Sequence, residues 1–500
     1  MGQGPTIRAH PHPATPSHTL LNELFAYHWP QLHGWMVTWV TLHSLVMLLG
    51  LAIYAIASRT LRQRRHPSAG IAWIISLVLV PYAALPLYLM FGSRKLVAYR
   101  GMGLTQPLVQ QAGAGGRPAS GKLETAIGLP EAAAFEALAI HQDGRQALEA
   151  LRGIIHGASH SLDICSFLIG RDALGDEIAA LLMRRARAGV KVRLLIDGIG
   201  IYLGGRPNLK ELAAAGVQVA LFVSPLRSAL RGRTNLRNHR KMVLADSGWL
   251  WCGGRNLAAE YFEGEGSKPA WIDLSFDLRG ALAAQAQQRF DRDWAFALTG
   301  VTAKPVHPGI QGSNVPEMGA AEGHKARLVP SGPDQVEDTI YTLLVSGCFT
   351  AQQRILAITP YFVPDPTLLM ALTLAARRGV AVDLLLPRQS NHRLADIARH
   401  SALRELAAAG ARVWLIPSMV HAKAVLIDAE LALVGSANLD GRSLFLNYEL
   451  MVAFYDPAVV RDFAQWITRQ RSQAVLYRAQ PPGLVREFVE SLVRWVAFQL

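Results

Sequence analysis

Residues 421–440 read HAKAVLIDAELALVGSANLD. Val, Leu and Ile runs on either side of a turn-like Asp-Ala-Glu predict two adjacent β-strands. Polar groups break those runs at intervals of two: His421 and Lys423, then Ser436 and Asn438. Residues two apart on a strand share a face. The spacing predicts one imidazole, one ammonium and one amide converging on a small anion. Asp428 sits at an odd offset and braces the turn.

A second copy stands upstream. Residues 238–257 read NHRKMVLADSGWLWCGGRNL, with His239, Lys241 and Asp246 at the same mutual spacings. Gly253 matches Gly435 and Asn256 matches Asn438, but Gly254 takes the place of Ser436, so one hydroxyl is missing. The repeat extends further back. LAAAGVQVALF from Leu212 resembles LAAAGARVWLI from Leu406, and RAGVKVRLLI from Arg187 resembles RRGVAVDLLL from Arg377. These are helix ends closed by Gly and followed by apolar strands, which predicts α/β units around buried sheets. An extra loop in the first half, SPLRSALRGRTNLRN, carries Arg227, Arg231, Arg233 and Arg237.

The paired HxK(x)4D and GSxN motifs resemble the phospholipase D superfamily. NHRKMVLAD, TPYFVPD, HAKAVLID and GSANLDGRSLFLNYEL are similar to its bacterial cardiolipin synthase branch. The resemblance implies two phospholipase D-like α/β sandwich half-domains in a pseudo-twofold bilobal unit, behind an N-terminal transmembrane hairpin. The expected boundaries are a tail over 1–33, two transmembrane helices over 34–93, a linker over 94–122, a first domain over 123–300, a linker over 301–324 and a second domain over 325–500. A carboxylate must fix the tautomer of each histidine. In this superfamily it follows the motif, which implies Glu449 for His421 and Asp273 for His239. The resemblance makes His239 the nucleophile and His421 the acid and base; sequence symmetry leaves those roles open.

The implied reaction is transphosphatidylation. One phosphatidylglycerol gives a phosphatidyl-histidine and glycerol, and a second accepts the phosphatidyl group to form cardiolipin. Lys241, Lys423, Asn256, Asn438 and Ser436 are expected on the phosphate oxygens, and Asp246 and Asp428 complete the catalytic motifs. No cofactor and no metal are required, because the lysines supply the positive field. The arginines of the loop are expected to gather anionic head groups. Hydrolytic phospholipase D activity, phosphatidylethanolamine as donor and a membrane-tethered nuclease stay open as alternatives.

Composition fits a lipid-facing protein. Charged residues make up 17% of 500 and the net charge is +13, with a mean hydropathy of +0.19. Such a balance implies an anionic partner, nucleic acid or acidic lipid. The hydrophobic runs favour lipid, so the expected partners are anionic phospholipid and the bilayer, with no nucleic acid; an oligomer is left open. Residues 34–58 and 67–93 carry no Asp, Glu, Lys or Arg, and each can supply the ~20 residues of a bilayer helix. Pro81 and Pro86 are expected to kink the second run. Charges flanking the runs balance, so the positive-inside rule sets no orientation. The resemblance implies a multi-pass protein of the bacterial inner membrane with cytoplasmic catalytic domains. Cys165, Cys252 and Cys348 show no metal or disulfide spacing and are expected to be buried thiols. The histidines of residues 1–33 are read as part of a flexible tail. Residues 483–500 read as an amphipathic helix, with Arg486, Glu490 and Arg494 on one stripe, expected to pack on the second domain.

Overall fold

The computed structural model describes residues 18–60, 67–92, 122–205, 208–223, 235–266, 268–300 and 324–497. They form two compact units, a small N-terminal helical one and a large one that holds both motifs.

The helical unit departs from the expected tail, and its second apolar run is interrupted. Its first helix runs His18–Thr60, so residues 18–33 are helical rather than a loose tail. Within it His33–Ser58 is long and apolar enough to cross a bilayer. The second apolar run is broken into Pro67–Leu79 and Pro81–Phe91. Pro81 lacks an N–H for the Leu77 carbonyl and disfavours helical geometry in the residue before it, which ends the first piece although Val80 keeps its own bonds to Ser76 and Ala84. Both pieces pack on the long helix: His43 Nε2 lies 3.0 Å from the Val78 carbonyl of the first, and in the second Tyr82 meets Trp39 edge-on at 5.8 Å and Tyr88 meets Tyr54 at 5.5 Å. Trp35, Val40 and Leu45 of the long helix point outward. The basic loop over 61–66 and the linkers over 93–121 and 301–323 lie outside the described residues.

In the large unit, β1 is Ala133–Ala134 and β2 is Glu136–Ile140. β3 (Ser161–Ser166), β4 (Lys191–Asp197), β5 (Gln218–Phe222), β6 (Met242–Ala245), β7 (Trp249–Gly253) and β8 (Ser275–Arg279) complete the first half. β9 (Lys325–Ser331), β10 (Arg354–Ile358), β11 (Phe362–Val363), β12 (Ala381–Pro387), β13 (Arg412–Ile416), β14 (Ala424–Ile427), β15 (Leu431–Gly435), β16 (Leu439–Asp440), β17 (Glu449–Phe454) and β18 (Val475–Leu476) make up the second. One sheet runs β2-β8-β7-β6-β3-β4-β5. The other runs β1-β9-β17-β15-β14-β10-β12-β13-β18 and repeats that order between β9 and β13. β1 comes from the first half by sequence yet pairs with β9, and Leu123, Ile127 and Leu129 pack against the second sheet. The first domain therefore gives its opening residues to the second, against the boundary expected at 123.

The physics of each element is local. β3, β4 and β5 are parallel neighbours, and strands covered on both faces read as near-continuous apolar runs. Asp172 and Asp365 accept backbone N–H bonds at the starts of Ala173–Arg187 and Pro366–Arg377, as helix caps do. Gly189 and Gly379 follow those two helices at φ 91° and 89°, a left-handed geometry that glycine adopts without penalty. A single buried apolar cluster takes Leu244, Phe276 and Leu278 from one sheet and Leu426, Leu450 and Phe454 from the other. The sheets thus pack face to face, and the helices cover their outer faces in two further clusters.

Asp246 and Asp428 serve this scaffold. Asp246 accepts from the amides of Ser159, His160 and Ser161 at 2.7–2.8 Å. Asp428 accepts from those of Gln352, Gln353 and Arg354 at 2.8–3.0 Å. Both sit in left-handed turns at φ 51° and 52°. Their carboxylates brace the entrance to β3 and β10 and enter the structure as supports, not as groups of the histidine site. Burial acts to raise the Asp246 carboxyl, but the three amides outweigh it and hold it below its usual value. Its stabilising contribution is therefore full above the unfolded value of about 3.9 and fades as pH falls through the depressed folded one. Replacing Asp246 with Ala should cost about 2–3 kcal/mol, the worth of hydrogen bonds to a charged group, read as earlier thermal unfolding at pH 7; the difference should shrink below pH 4.

Candidate active site

Two short backbone bridges build the site. The His239 N–H donates to the Tyr448 carbonyl at 2.9 Å, and the Tyr448 N–H donates to the Arg237 carbonyl at 2.8 Å. In the other direction, the His421 N–H donates to the Ile272 carbonyl at 2.7 Å and the Ile272 N–H to that of Met419 at 2.9 Å. Each bridge puts a histidine beside the residue that follows its partner. That residue is Glu449 for His239 and Asp273 for His421.

The side chains follow. His239 Nδ1 lies 3.0 Å from both Glu449 oxygens, and His421 Nδ1 lies 2.7 Å from Asp273 Oδ2. This corrects the expected pairing of each histidine with the carboxylate of its own half; the pairs are crossed. Within one sheet the segment before β6 and the segment before β8 are separated by β7. Two strand spacings, roughly 10 Å, are too far for a direct bond, whereas the facing sheet brings the other carboxylate into reach.

Both lysines are buried with them. Lys241 Nζ donates to the His239 carbonyl at 2.8 Å. Lys423 Nζ donates to the His421 carbonyl and stands 2.7 and 3.0 Å from the ring nitrogens of His421. Burial lowers Lys241 to about 8 and Lys423 to about 7. Burial, then the Lys423 charge, pushes His421 down to about 3; His239 is lowered too, chiefly by burial. Asp273 is pushed up by burial, but His421, Lys423 and Arg255 together hold it at about 2. Each histidine also feels the lysine of the opposite half, so the four groups share one field.

The residues expected on phosphate are placed differently from one another. Ser436 Oγ donates to Glu449 Oε2 at 2.5 Å and accepts from the Leu450 N–H. Its one hydroxyl proton orients the carboxylate. Asn256 Nδ2 donates to the Tyr261 hydroxyl at 2.8 Å. Asn438 is buried beside Asp440. Of the loop arginines, Arg227, Arg231 and Arg233 lie outside the described residues. Arg237 is largely buried and lies near Asp197 and Arg442.

Several site residues carry no motif signature. Arg240, the x of HxK, is fully buried and donates to the Glu449 carbonyl at 3.0 Å and to Asp293 at 2.6 and 2.7 Å. It ties the His239 strand to the segment carrying its carboxylate. Asn447 gives Glu449 a third donor at 3.2 Å. Tyr261 and Trp271 lie 5.0 and 5.6 Å from the His421 ring, and Phe167 lies 5.7 Å from that of His239. Phe167 lies in the segment that matches TPYFVPD, the one signal that could have marked it.

The missing hydroxyl at position 254 has a steric cause. A Cβ on Gly254 would overlap the Asp273 carboxylate. Aspartate is one methylene shorter than glutamate, so its carboxyl group stays close to the backbone that Gly254 lines. The buried Arg255, bonded to Ser275 Oγ and the Tyr261 carbonyl at 3.0 Å, adds positive charge near Asp273 where the other half uses a serine. Gly254→Ser should therefore cost about 1–3 kcal/mol, the range for overpacking. In an Asp273→Ala background nearly all of that penalty should vanish in thermal unfolding; a penalty of equal size in both backgrounds would refute the steric account.

The chain resembles known proteins along most of its length. Residues 151–294 and 349–471 match the family described as cardiolipin synthase, PLD-like domain, and residues 50–93 match the phospholipase D-nuclease N-terminal family. Similar curated proteins include Cardiolipin synthase A of Pseudomonas putida, 31% identical over 459 residues, with 88% of this chain and 91% of the relative covered. Cardiolipin synthase A of Pseudomonas aeruginosa is 33% identical over 435 residues, with 82% and 86% covered. Among solved structures, phosphatidylserine synthase of Haemophilus influenzae superposes with a TM-score of 0.58 at 15% identity, covering 75% of this chain and 99% of that one; at that identity the likeness shows the fold alone. Matched in both halves and along most of its length, the chain belongs to the cardiolipin synthase family of phospholipase D-like proteins.

Proposed function

We propose that the chain is a phosphatidyltransferase that makes cardiolipin and glycerol from two phosphatidylglycerol molecules. The observation that carries this reading is the crossed pair of histidine–carboxylate contacts with two buried lysines in one field. The halves act as a pseudo-twofold pair around one phosphodiester. The catalytic unit faces the cytoplasm from a bacterial inner membrane, with the broken second run completing a second crossing. The family membership, the spanning-length helix and the resemblance of the N-terminal runs support that placement.

The chemistry follows from the geometry. Each Nδ1 faces a carboxylate, which makes Nε2 the reacting nitrogen; at His421 the Lys423 ammonium stands 3.0 Å from it. His239, the more accessible ring at 14% against 5% for His421, forms a bond from Nε2 to phosphorus while the bond from phosphorus to the glycerol oxygen breaks. His421 gives that oxygen its proton. An entering phosphodiester monoanion offsets the Lys423 charge that lowers His421 and favours the imidazolium. A hydroxyl of the second phosphatidylglycerol then passes its proton to His421 as its oxygen bonds phosphorus and the phosphorus–nitrogen bond breaks. Lys241 and Lys423 offset the charge of the pentavalent state. Tyr261, Trp271 and Phe167 wall the rings and limit water, which favours transfer over hydrolysis.

Purified full-length chain with labelled phosphatidylglycerol should release glycerol and cardiolipin in equal amounts. His239→Ala should lose at least about a thousandfold in rate, as expected when a nucleophile is removed. Phosphatidic acid and glycerol as the only products would identify a hydrolase instead. The lysines set the pH profile. As pH rises through 7 to 8 the free enzyme loses their charge, so kcat/KM should fall on that alkaline side. Lys423→Arg keeps its charge and should flatten that limb while lowering the maximum; an unchanged limb would exclude Lys423 as its source.

A further inference from the structure

The helix Leu484–Ala497 lies the opposite way round from an ordinary surface helix, which turns its apolar stripe inward. Its Glu490 is 2% exposed, whereas Leu484, Val485, Phe488 and Leu492 are 88%, 79%, 70% and 53% exposed. The carboxylate is pinned. Arg404 holds it through two nitrogens at 2.5 and 3.1 Å, and Arg486 donates at 2.9 Å. Rolling the helix over to bury the leucines and phenylalanine would break both Arg404 bonds, while the Arg486 bond, made within the helix, would turn with it. The expected packing on the second domain is thus present, but through the polar side, and the apolar side is held outward.

The surroundings point to the partner. Arg393 and Arg478 are exposed, and Tyr477, next to Arg478, interacts with Arg404, Arg486 and Glu490. Leu394, Val475 and Leu476 add further exposed apolar surface. Apolar side chains bordered by arginines suit the interface of an anionic bilayer. A bilayer is at hand, because the same chain carries a helix of spanning length. The location also fits. Ile397 and His400 line a groove with Leu484 and Val485. Ile397 is about 7.5 Å along its helix from His392, whose ring meets Tyr361 at 5.3 Å. Tyr361 in turn interacts with Tyr261, the ring against His421.

We infer that the Leu484–Phe488–Leu492 face lies in the interfacial layer of an anionic phospholipid bilayer and holds the second half-domain at the lipid surface, near the mouth of the site. The inference rests on the lipid-substrate reading above but is tested without turnover. The three native cysteines are buried, so Phe488→Cys can be labelled alone with an environment-sensitive fluorophore in the full chain. After reconstitution into vesicles of phosphatidylglycerol and phosphatidylcholine, brominated acyl chains should quench that label by half or more. A label at Glu149→Cys, on an outer helix of the first half, should be unaffected. No quenching at position 488 overturns the inference, whether the emission stays water-like or is shifted by a second copy covering the face. In parallel, Leu484→Ser/Phe488→Ser/Leu492→Ser should raise the apparent KM for vesicular phosphatidylglycerol at least fivefold and leave turnover of a short-chain monomeric analogue unchanged. Equal kinetics on vesicles would also overturn it. A chain that binds bilayer through this face yet makes no cardiolipin would refute the proposed reaction and leave this surface standing.

Discussion

Two pairs of main-chain hydrogen bonds hold the catalytic arrangement together. They join the residue before each histidine to the residue before the carboxylate of the opposite half. Because the bonds are made by the backbone, they determine register directly, and the next side chain on each segment is a histidine or the carboxylate it meets. The apolar layer between the sheets keeps those backbones in contact. It buries large aromatic and aliphatic side chains, each worth about 1.5–3 kcal/mol when removed from water. Packing thus maintains the bridges, and the bridges align the imidazoles.

Much of this was legible in the residues. The period-two spacing of His421 and Lys423, the helix-closing glycines and the duplicated offsets identify the strands, the α/β units and the repeat, because each depends on local geometry. What stayed hidden depends on which surface meets which. Glu449 follows His421 by 28 residues and Asp273 follows His239 by 34, so proximity along the chain pointed to the wrong partner. The hydroxyl of Ser436 looked free because its acceptor, Glu449, reaches it only once β17 lies beside β15. The pairing of Ala133 and Ala134 with β9 was equally invisible, since two alanines carry no partner preference. In the membrane region apolar length was readable, but Pro81 acts on hydrogen bonding rather than hydropathy, and it divides a run that composition alone presents as continuous.

The two ends of the site reach the same electrostatic outcome by different chemistry. Glu449 collects donors from His239, Ser436 and Asn447. Asp273 has the shorter reach, takes His421 and the amide of Leu274, and is held charged by His421 and Lys423, with a smaller addition from buried Arg255. Both carboxylates stay ionised although fully enclosed. Without a compensating cation, burial would favour the neutral acid, and a neutral acid would release its imidazole. The lysines, proposed above to offset charge on substrate, also hold these carboxylates ionised.

Crossed pairing also constrains how such a chain can change over generations. Neither half contains a complete histidine–carboxylate couple, so a change in one half must suit the other. Recombination between relatives at the segment connecting the halves would unite a histidine from one lineage with a carboxylate from another. In this molecule the contacts put at risk are His239 with Glu449 and His421 with Asp273, whereas Gly254 would stay with Asp273 and Ser436 with Glu449.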